Sequence, residues 1–304
     1  MITKHVHKKI TWIDLESPTR DEIISISKEF DIPDLVGEEL LGPTLKSKVD
    51  LYDNVIYLIL HFPTVNHKHC DNTEHEIDFI IGKDFLITAH YEFIQPIYEF
   101  AKKFEVSSTL KRNSLGSHSG FILYYMLKDL YRDSVYGLDS INESLRKIEK
   151  EIFEGREGKM VHAISITRKR LLDFKQATRF HKEVLGSFEK VSKKFFGDNF
   201  SHYIDAIIAE QNKLQNTLDG HKEMLNDLRE TNDSILAQKT GHTMKTLTMM
   251  SFVVFPLSLI AGIFGMNAVH MPIVGSGGDF WFILGIMLAA TIGMFSYFRK
   301  KKWL

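Results

Sequence analysis

Residues 246–267 read TLTMMSFVVFPLSLIAGIFGMN, and this stretch decides the architecture. It contains no Asp, Glu, Lys or Arg and ends in Gly265-Met266-Asn267. About 20 apolar residues in a helix are enough to cross the ~30 Å hydrocarbon core of a bilayer. A second uncharged run, 280–298, follows a short polar loop, and Arg299, Lys300, Lys301 and Lys302 lie just beyond it. Two spans therefore follow a long hydrophilic region, which places most of the mass on one side of a membrane.

Charge supports an orientation. From Gly241 onward there are five Lys or Arg against the single acid Asp279, so the chain before that point holds 33 basic and 38 acidic residues. A mildly acidic soluble region argues against nucleic acid and is compatible with cation handling. The basic residues flanking the spans and the uncharged loop place both termini in the cytoplasm and the loop outside, at a plasma membrane. Cys70 is the only cysteine, so no intrachain disulfide forms. The first residues lack the apolar core of a signal peptide.

Residues 1–110 read as a mixed α/β domain. ITWIDL (10–15) alternates as a strand, and SPTRDE offers Ser17 or Thr19 as the cap of a helix over 21–30. VIYLILHF (55–62) is a buried-strand pattern. EIDFIIGKDFLITAH (76–90) reads as two strands around Gly82-Lys83-Asp84, and 93–104 supplies a further helix. HKHCDNTEH groups His67, His69, Cys70 and His75 in one loop, either a solvated turn or a site for a metal such as zinc or copper.

Residues 111–199 read as an antiparallel helical pair turning at EGREGK (154–159). Residues 200–242 continue as a stalk helix. Ile204, Ile207, Gln211, Leu214, Leu218, His221, Leu225, Leu228, Asn232, Ile235, Lys239 and His242 follow steps of three and four, a heptad seam. With no partner of equal length in the chain, that seam is expected to pack against other copies, making a homo-oligomer. The first span (243–264) carries the step onward through Met244, Leu247, Ser251, Phe255, Ser258 and Gly262. In a ring of identical helices this face lines a path with hydroxyl rings and apolar constrictions; ordinary membrane-helix packing uses the same small residues. The loop is 265–279, the second span 280–298, and the basic tail 299–304.

PLSLIAGIFGMN followed by MP, a second span and KKKWL resembles the CorA magnesium transporter family. MKTLTMM, the FEGR turn at 153–156 and the GKDFLITAH hairpin extend the resemblance over nearly the whole chain. It implies a funnel-like homopentamer with a cytoplasmic α+β domain and a stalk helix that becomes the inner pore wall. It also implies that Gly265, Met266 and Asn267 form the selectivity filter, and that cytoplasmic Mg²⁺ between subunits closes the pore. Asp205, Glu210, Asp219 and Asp227 are the candidate regulatory acids; each also reads as part of a solvated face. A ring of Asn267 carbonyl oxygens suits hydrated Mg²⁺, which dehydrates reluctantly. Met266 argues against zinc-moving relatives, which usually have Val there.

Two departures stand out. The stretch after Pro272 is Ile273-Val274-Gly275-Ser276-Gly277-Gly278, without the acids usual in the family, and Gly241 sits where a polar ring is expected. The resemblance implies a transporter with Mg²⁺ as transported and regulatory ion and no organic cofactor. Co²⁺, Ni²⁺ or Zn²⁺ as cargo, or a non-conducting membrane scaffold, are the alternatives. No nucleophile–base grouping or Walker-type loop suggests an enzyme.

Overall fold

A computed structural model of the chain describes residues 2–64, 74–109, 117–266 and 278–301. The chain divides into two compact units, 1–229 and 230–304.

The first unit begins with a six-stranded sheet of order β1-β2-β6-β5-β4-β3. Its strands are β1 (Ile2–His7), β2 (Ile10–Glu16), β3 (Lys48–Leu51), β4 (Ile56–Pro63), β5 (Glu74–Ile81) and β6 (Phe85–His90). Only β2 and β6 pair in parallel; the other neighbours are antiparallel. Every residue of β4 is buried, as expected for a strand covered on both faces. One cover is α1 (Arg20–Phe30) with α2 (Asp34–Glu39), whose Ile23, Ile26 and Val36 join Ile13, Ile59, Ile80 and Ile87 in one core. Helix α1 starts where the sequence places it. Thr19 and Glu22 form a capping box, Thr19 N donating to Glu22 Oε2 at 2.8 Å.

The opposite cover includes α3 (Gln95–Thr109), whose Phe100 and Phe104 meet Trp12 edge-on. Beyond it lie α4 (Gly120–Phe153), α5 (Glu157–Ala177) and α6 (His181–Phe196). The expected helical pair is therefore three helices. The first turn falls as read, at Glu154–Arg156, with Arg156 paired to both Glu151 and Glu154. Arg170 on α5 donates to Ser140 and Ser144 on α4, at 2.7 and 3.3 Å, which fixes the pair as antiparallel. The second break follows from His181. Its Nε2 donates to the His61 carbonyl at 2.8 Å, and the Tyr131 hydroxyl lies 2.8 Å from its Nδ1. That fully buried side chain pins the start of α6 to β4 and α4.

Gly197, at φ 91°, ends α6 in a conformation that favours glycine. After one 3₁₀ turn the chain enters α7 (Ser201–Phe264). Here the seam is corrected. Ile204, Ile207, Gln211, Leu214, Leu218, Leu225 and Leu228 are buried within the first unit itself. Tyr203 packs on Phe121 and Tyr124 of α4, and Leu218 and Leu225 share a groove with Leu171 and Leu172 of α5. Two shorter antiparallel helices thus cover the seam as far as Leu228, a part expected to pack against copies of the chain; beyond it Ile235 is half-buried and Lys239 and His242 are exposed.

The second unit contains the C-terminal part of α7 and α8 (Asp279–Lys300). Both helices are long and apolar enough to cross a membrane, and neither buries its apolar window within the chain.

Candidate ion pathway

The apolar end of α7 presents side chains in every direction. Met244, Leu247 and Phe255 are 56%, 56% and 71% exposed, as fits a helix whose surroundings are lipid or other subunits. Ser258 and Gly262 are exposed and Ser251 is half-buried. At 3.6 residues per turn, Met244, Ser251, Phe255, Ser258 and Gly262 fall within about 40° of one line, with Leu247 at its margin. The expected face therefore exists as one continuous stripe of a regular helix.

Hydroxyls along this part of α7 bond back to their own helix on the stripe and off it alike, Thr243 and Thr246 included. Thr240, Thr248 and Ser251 donate to the carbonyls of Leu236, Met244 and Leu247, at 2.9, 2.8 and 3.0 Å. A hydroxyl that donates to its own helix keeps its oxygen lone pairs for outside partners. These side chains therefore act outward as acceptors, the role a hydrated cation requires. Pro256 sits inside the helix without an N–H and leaves the Phe252 carbonyl without its usual i+4 donor.

The helix ends at a close approach. Gly265 N–H donates to Ala261 O at 2.9 Å, and Met266 N–H to Ile263 O at 3.3 Å. A Cβ on Gly265 would lie 2.9 Å from that Ala261 oxygen. Met266 is exposed. Asn267, the remaining residue of the expected filter, lies outside the described residues, as does the loop to residue 277.

The proposed regulatory acids sit on α7, with Asp205, Asp219 and Asp227 exposed and Glu210 half-buried. Asp219 accepts from Gln215 Nε2 at 3.1 Å. Among the described residues, no three His, Cys, Asp or Glu side chains are grouped to hold a metal. His67, His69 and Cys70 lie outside the described residues, and His75 is on β5 rather than in a loop.

The sheet carries a titratable cluster that the sequence reading missed. His61 Nε2 lies 3.2 Å from Glu76 Oε2, His90 Nε2 3.3 Å from Asp14 Oδ2, and His75 Nδ1 3.1 Å from Glu92 Oε2. Glu76 also accepts from Thr44, N–H at 2.6 Å and Oγ1 at 3.1 Å, which ties the loop before β3 to the sheet. Burial works against a charged His61, but hydrogen bonds to Glu76 and the Thr44 carbonyl outweigh it and raise its pKa. His90 is raised in the same way, with Asp14 outweighing burial. For His75 burial dominates and lowers the pKa despite Glu92. Burial and the neighbouring Glu76 push Asp78 well above the usual carboxylate range. His61 and Glu76 are directly opposed in the β4–β5 register, so aligning those two strands was the signal available.

Residues 7–300 match the model of the CorA-like Mg2+ transporter protein family. The chain belongs to the CorA family. It is 23% identical over 303 residues to the cobalt/magnesium transport protein CorA of Thermotoga maritima, covering 97% of this chain and 83% of that protein. The complete structure of the CorA magnesium transporter from Methanocaldococcus jannaschii superposes with a TM-score of 0.82 at 19% identity, over 97% of this chain and 92% of that one. The ZntB cytoplasmic domain from Vibrio parahaemolyticus shares the fold of the soluble part. Its TM-score is 0.63 at 14% identity, covering 76% of this chain and 89% of that one. The protein is thus a CorA-family divalent-cation transporter of the membrane, and not an enzyme.

Proposed function

We propose that the chain forms a homopentamer that conducts hydrated Mg²⁺ inward across the plasma membrane, with Co²⁺ and Ni²⁺ as secondary cargo. The observation that carries this reading is the uncharged stripe from Met244 to Gly262, on which the Ser251 hydroxyl bonds back to its helix and offers an acceptor oxygen, and which runs into the turn at Gly265. Five such helices around an axis would make a path with acceptor rings at Ser251 and Ser258 and apolar constrictions at Met244, Leu247 and Phe255. The second helices would form the outer ring.

Gly265, Met266 and Asn267 form the mouth in this reading. Asn267 carbonyls would meet the ion's own waters, which suits an ion reluctant to lose them. Basic residues at 299–302 favour cytoplasmic termini. At an inside-negative potential of ~100 mV, a divalent ion gains roughly 4.6 kcal/mol on entry, so no nucleotide chemistry is needed. Cytoplasmic Mg²⁺ held by acids of adjacent subunits, among them Asp205, Glu210, Asp219 and Asp227, would close the pore. This requires the closed state to bind the ion more tightly than the open one.

The test is ion flux into proteoliposomes at controlled potential, comparing Mg²⁺, Co²⁺ and Zn²⁺. Mg²⁺ entry that collapses in Asn267→Ala supports the reading. Flux indifferent to that substitution sinks it, and preference for Zn²⁺ reassigns the cargo. Removing internal Mg²⁺ should raise the flux; an unchanged rate counts against gating by the bound ion.

A further inference from the structure

The chain before Gly241 is acidic overall, yet one cleft of the first unit gathers cations. Its volume is about 680 Å³, a size typical of small-molecule sites. Lys46 and Ser47 line it from the loop before β3, and His61 and Glu74 from β4 and β5. Lys175, Arg179 and Phe180 complete it from the end of α5 and the joint into α6.

The charges there are not internally balanced. Among the described residues, Lys46, Lys175 and Arg179 make no ion pair with a carboxylate; Arg179 only lies 5.1 Å from the Phe180 ring centroid. Among the described residues Glu74 is the single carboxylate on the lining and offsets one of the three; Glu76, behind it, is engaged by His61 and Thr44. Helix α6 begins at the same joint, and its N-cap, Phe180, has no side chain able to accept the first-turn N–H groups. The positive end of this 16-residue helix has no side-chain cap beside the unpaired cations, with Glu183 in its first turn as the acid on the helix itself.

The wall also contains fixed polar groups. The buried His61 ring is held by Ser47 Oγ at 3.0 Å and the Thr44 carbonyl at 3.1 Å. Leu172 on the lining is 59% exposed, which leaves apolar surface beside the cations. A small monovalent anion would neutralise one cation and leave the others facing each other. A chain of phosphates spans all of them, and Lys and Arg are suited to its oxygens.

We propose that this cleft binds a polyphosphate anion, such as a nucleoside di- or triphosphate. Lys46, Lys175 and Arg179 hold the phosphates, and Phe180 and Leu172 lie beside the apolar part. Such a ligand is an effector of the transporter and not its cargo, whose charge has the opposite sign. By joining the loop before β3 to the α5–α6 joint, it would stiffen the contact between the sheet and the helices.

The test is calorimetric titration of the detergent-solubilised full chain with ATP, inorganic pyrophosphate and adenosine in Mg²⁺-free buffer, so that chelation plays no part. ATP binding is expected, with about tenfold or greater weakening in Lys175→Glu/Arg179→Glu and no change in oligomer size. Pyrophosphate binding as well as ATP identifies the phosphate chain as sufficient; ATP alone shows that the nucleoside is also read. The proposal is overturned if neither anion binds, if adenosine binds as well as ATP, or if the double variant binds like the parent. It is equally overturned if the variant changes oligomer size, which would assign these cations to contacts between copies.

Discussion

The amide of Gly265 donates to the carbonyl oxygen of Ala261 at 2.9 Å, and a Cβ at Gly265 would stand the same 2.9 Å from that oxygen. A backbone oxygen has no rotamer by which to move aside. Gly265→Ala should therefore open the last turn of α7, at a cost of roughly 1–3 kcal/mol. The expected result is lost ion flux with the assembled oligomer retained, read by flux and size-exclusion chromatography together. Parental flux would show that the turn does not position the mouth.

Leu214 is 2% exposed within a single chain. Leu214→Ala should lower the stability of the first unit by about 2–5 kcal/mol, as for other large-to-small core changes. Thermal unfolding should shift downward while the oligomer survives at temperatures below the new midpoint. Dissociation without loss of folding stability would return the stripe to a contact between copies.

The His61–Glu76 pair predicts a pH dependence with a definite sign. His61 has a folded pKa above its ordinary value. Its contribution to stability is therefore fully present below about pH 6.5 and lost as pH rises through the raised folded value. Chemical unfolding of the parent and of Glu76→Gln should differ most at low pH and converge as pH rises past that value. A difference constant from pH 6 to 9 would show that Glu76 acts only through its hydrogen bonds to Thr44.

His181 acts in the opposite direction. Burial lowers its pKa to about 3, so the unfolded chain takes up a proton that the folded one refuses. Stability should fall as pH drops from about 6.5 toward 3, by on the order of 1 kcal/mol per unit. His181→Phe should flatten this acid limb. It should also cost about 1–3 kcal/mol at neutral pH, because the Tyr131 hydroxyl and the His61 carbonyl lose their partner. An unchanged acid limb would place the sensitivity elsewhere.

What the sequence disclosed depended on whether the signal was local. The Thr19 cap, the β5–β6 hairpin and both apolar helices are written in adjacent residues and appear where they were read. Strand β1 escaped because its ITKHVH alternation mixes exposed Ile2 and Val6 with buried His5 and His7, an inversion of the usual pattern. The break between α5 and α6 escaped for another reason. Nothing around Thr178 marks it, and its cause is a histidine bonded to a strand far away in the chain. The α7 stripe was found correctly, but periodicity identifies an apolar face without naming what covers it. The selection of Asn267 rests on resemblance, and the carboxylate–histidine pairs needed strand register.

The back-bonded hydroxyls of α7 have one more consequence. Proton hopping along a column of hydroxyl groups and water requires each group to accept one hydrogen and release another. Thr240, Thr248 and Ser251 have their only hydrogens directed into the Leu236, Met244 and Leu247 carbonyls, so they cannot pass one on while those bonds stand. Along the proposed path, such a lining would greet the waters around an ion while taking no part itself in handing protons along.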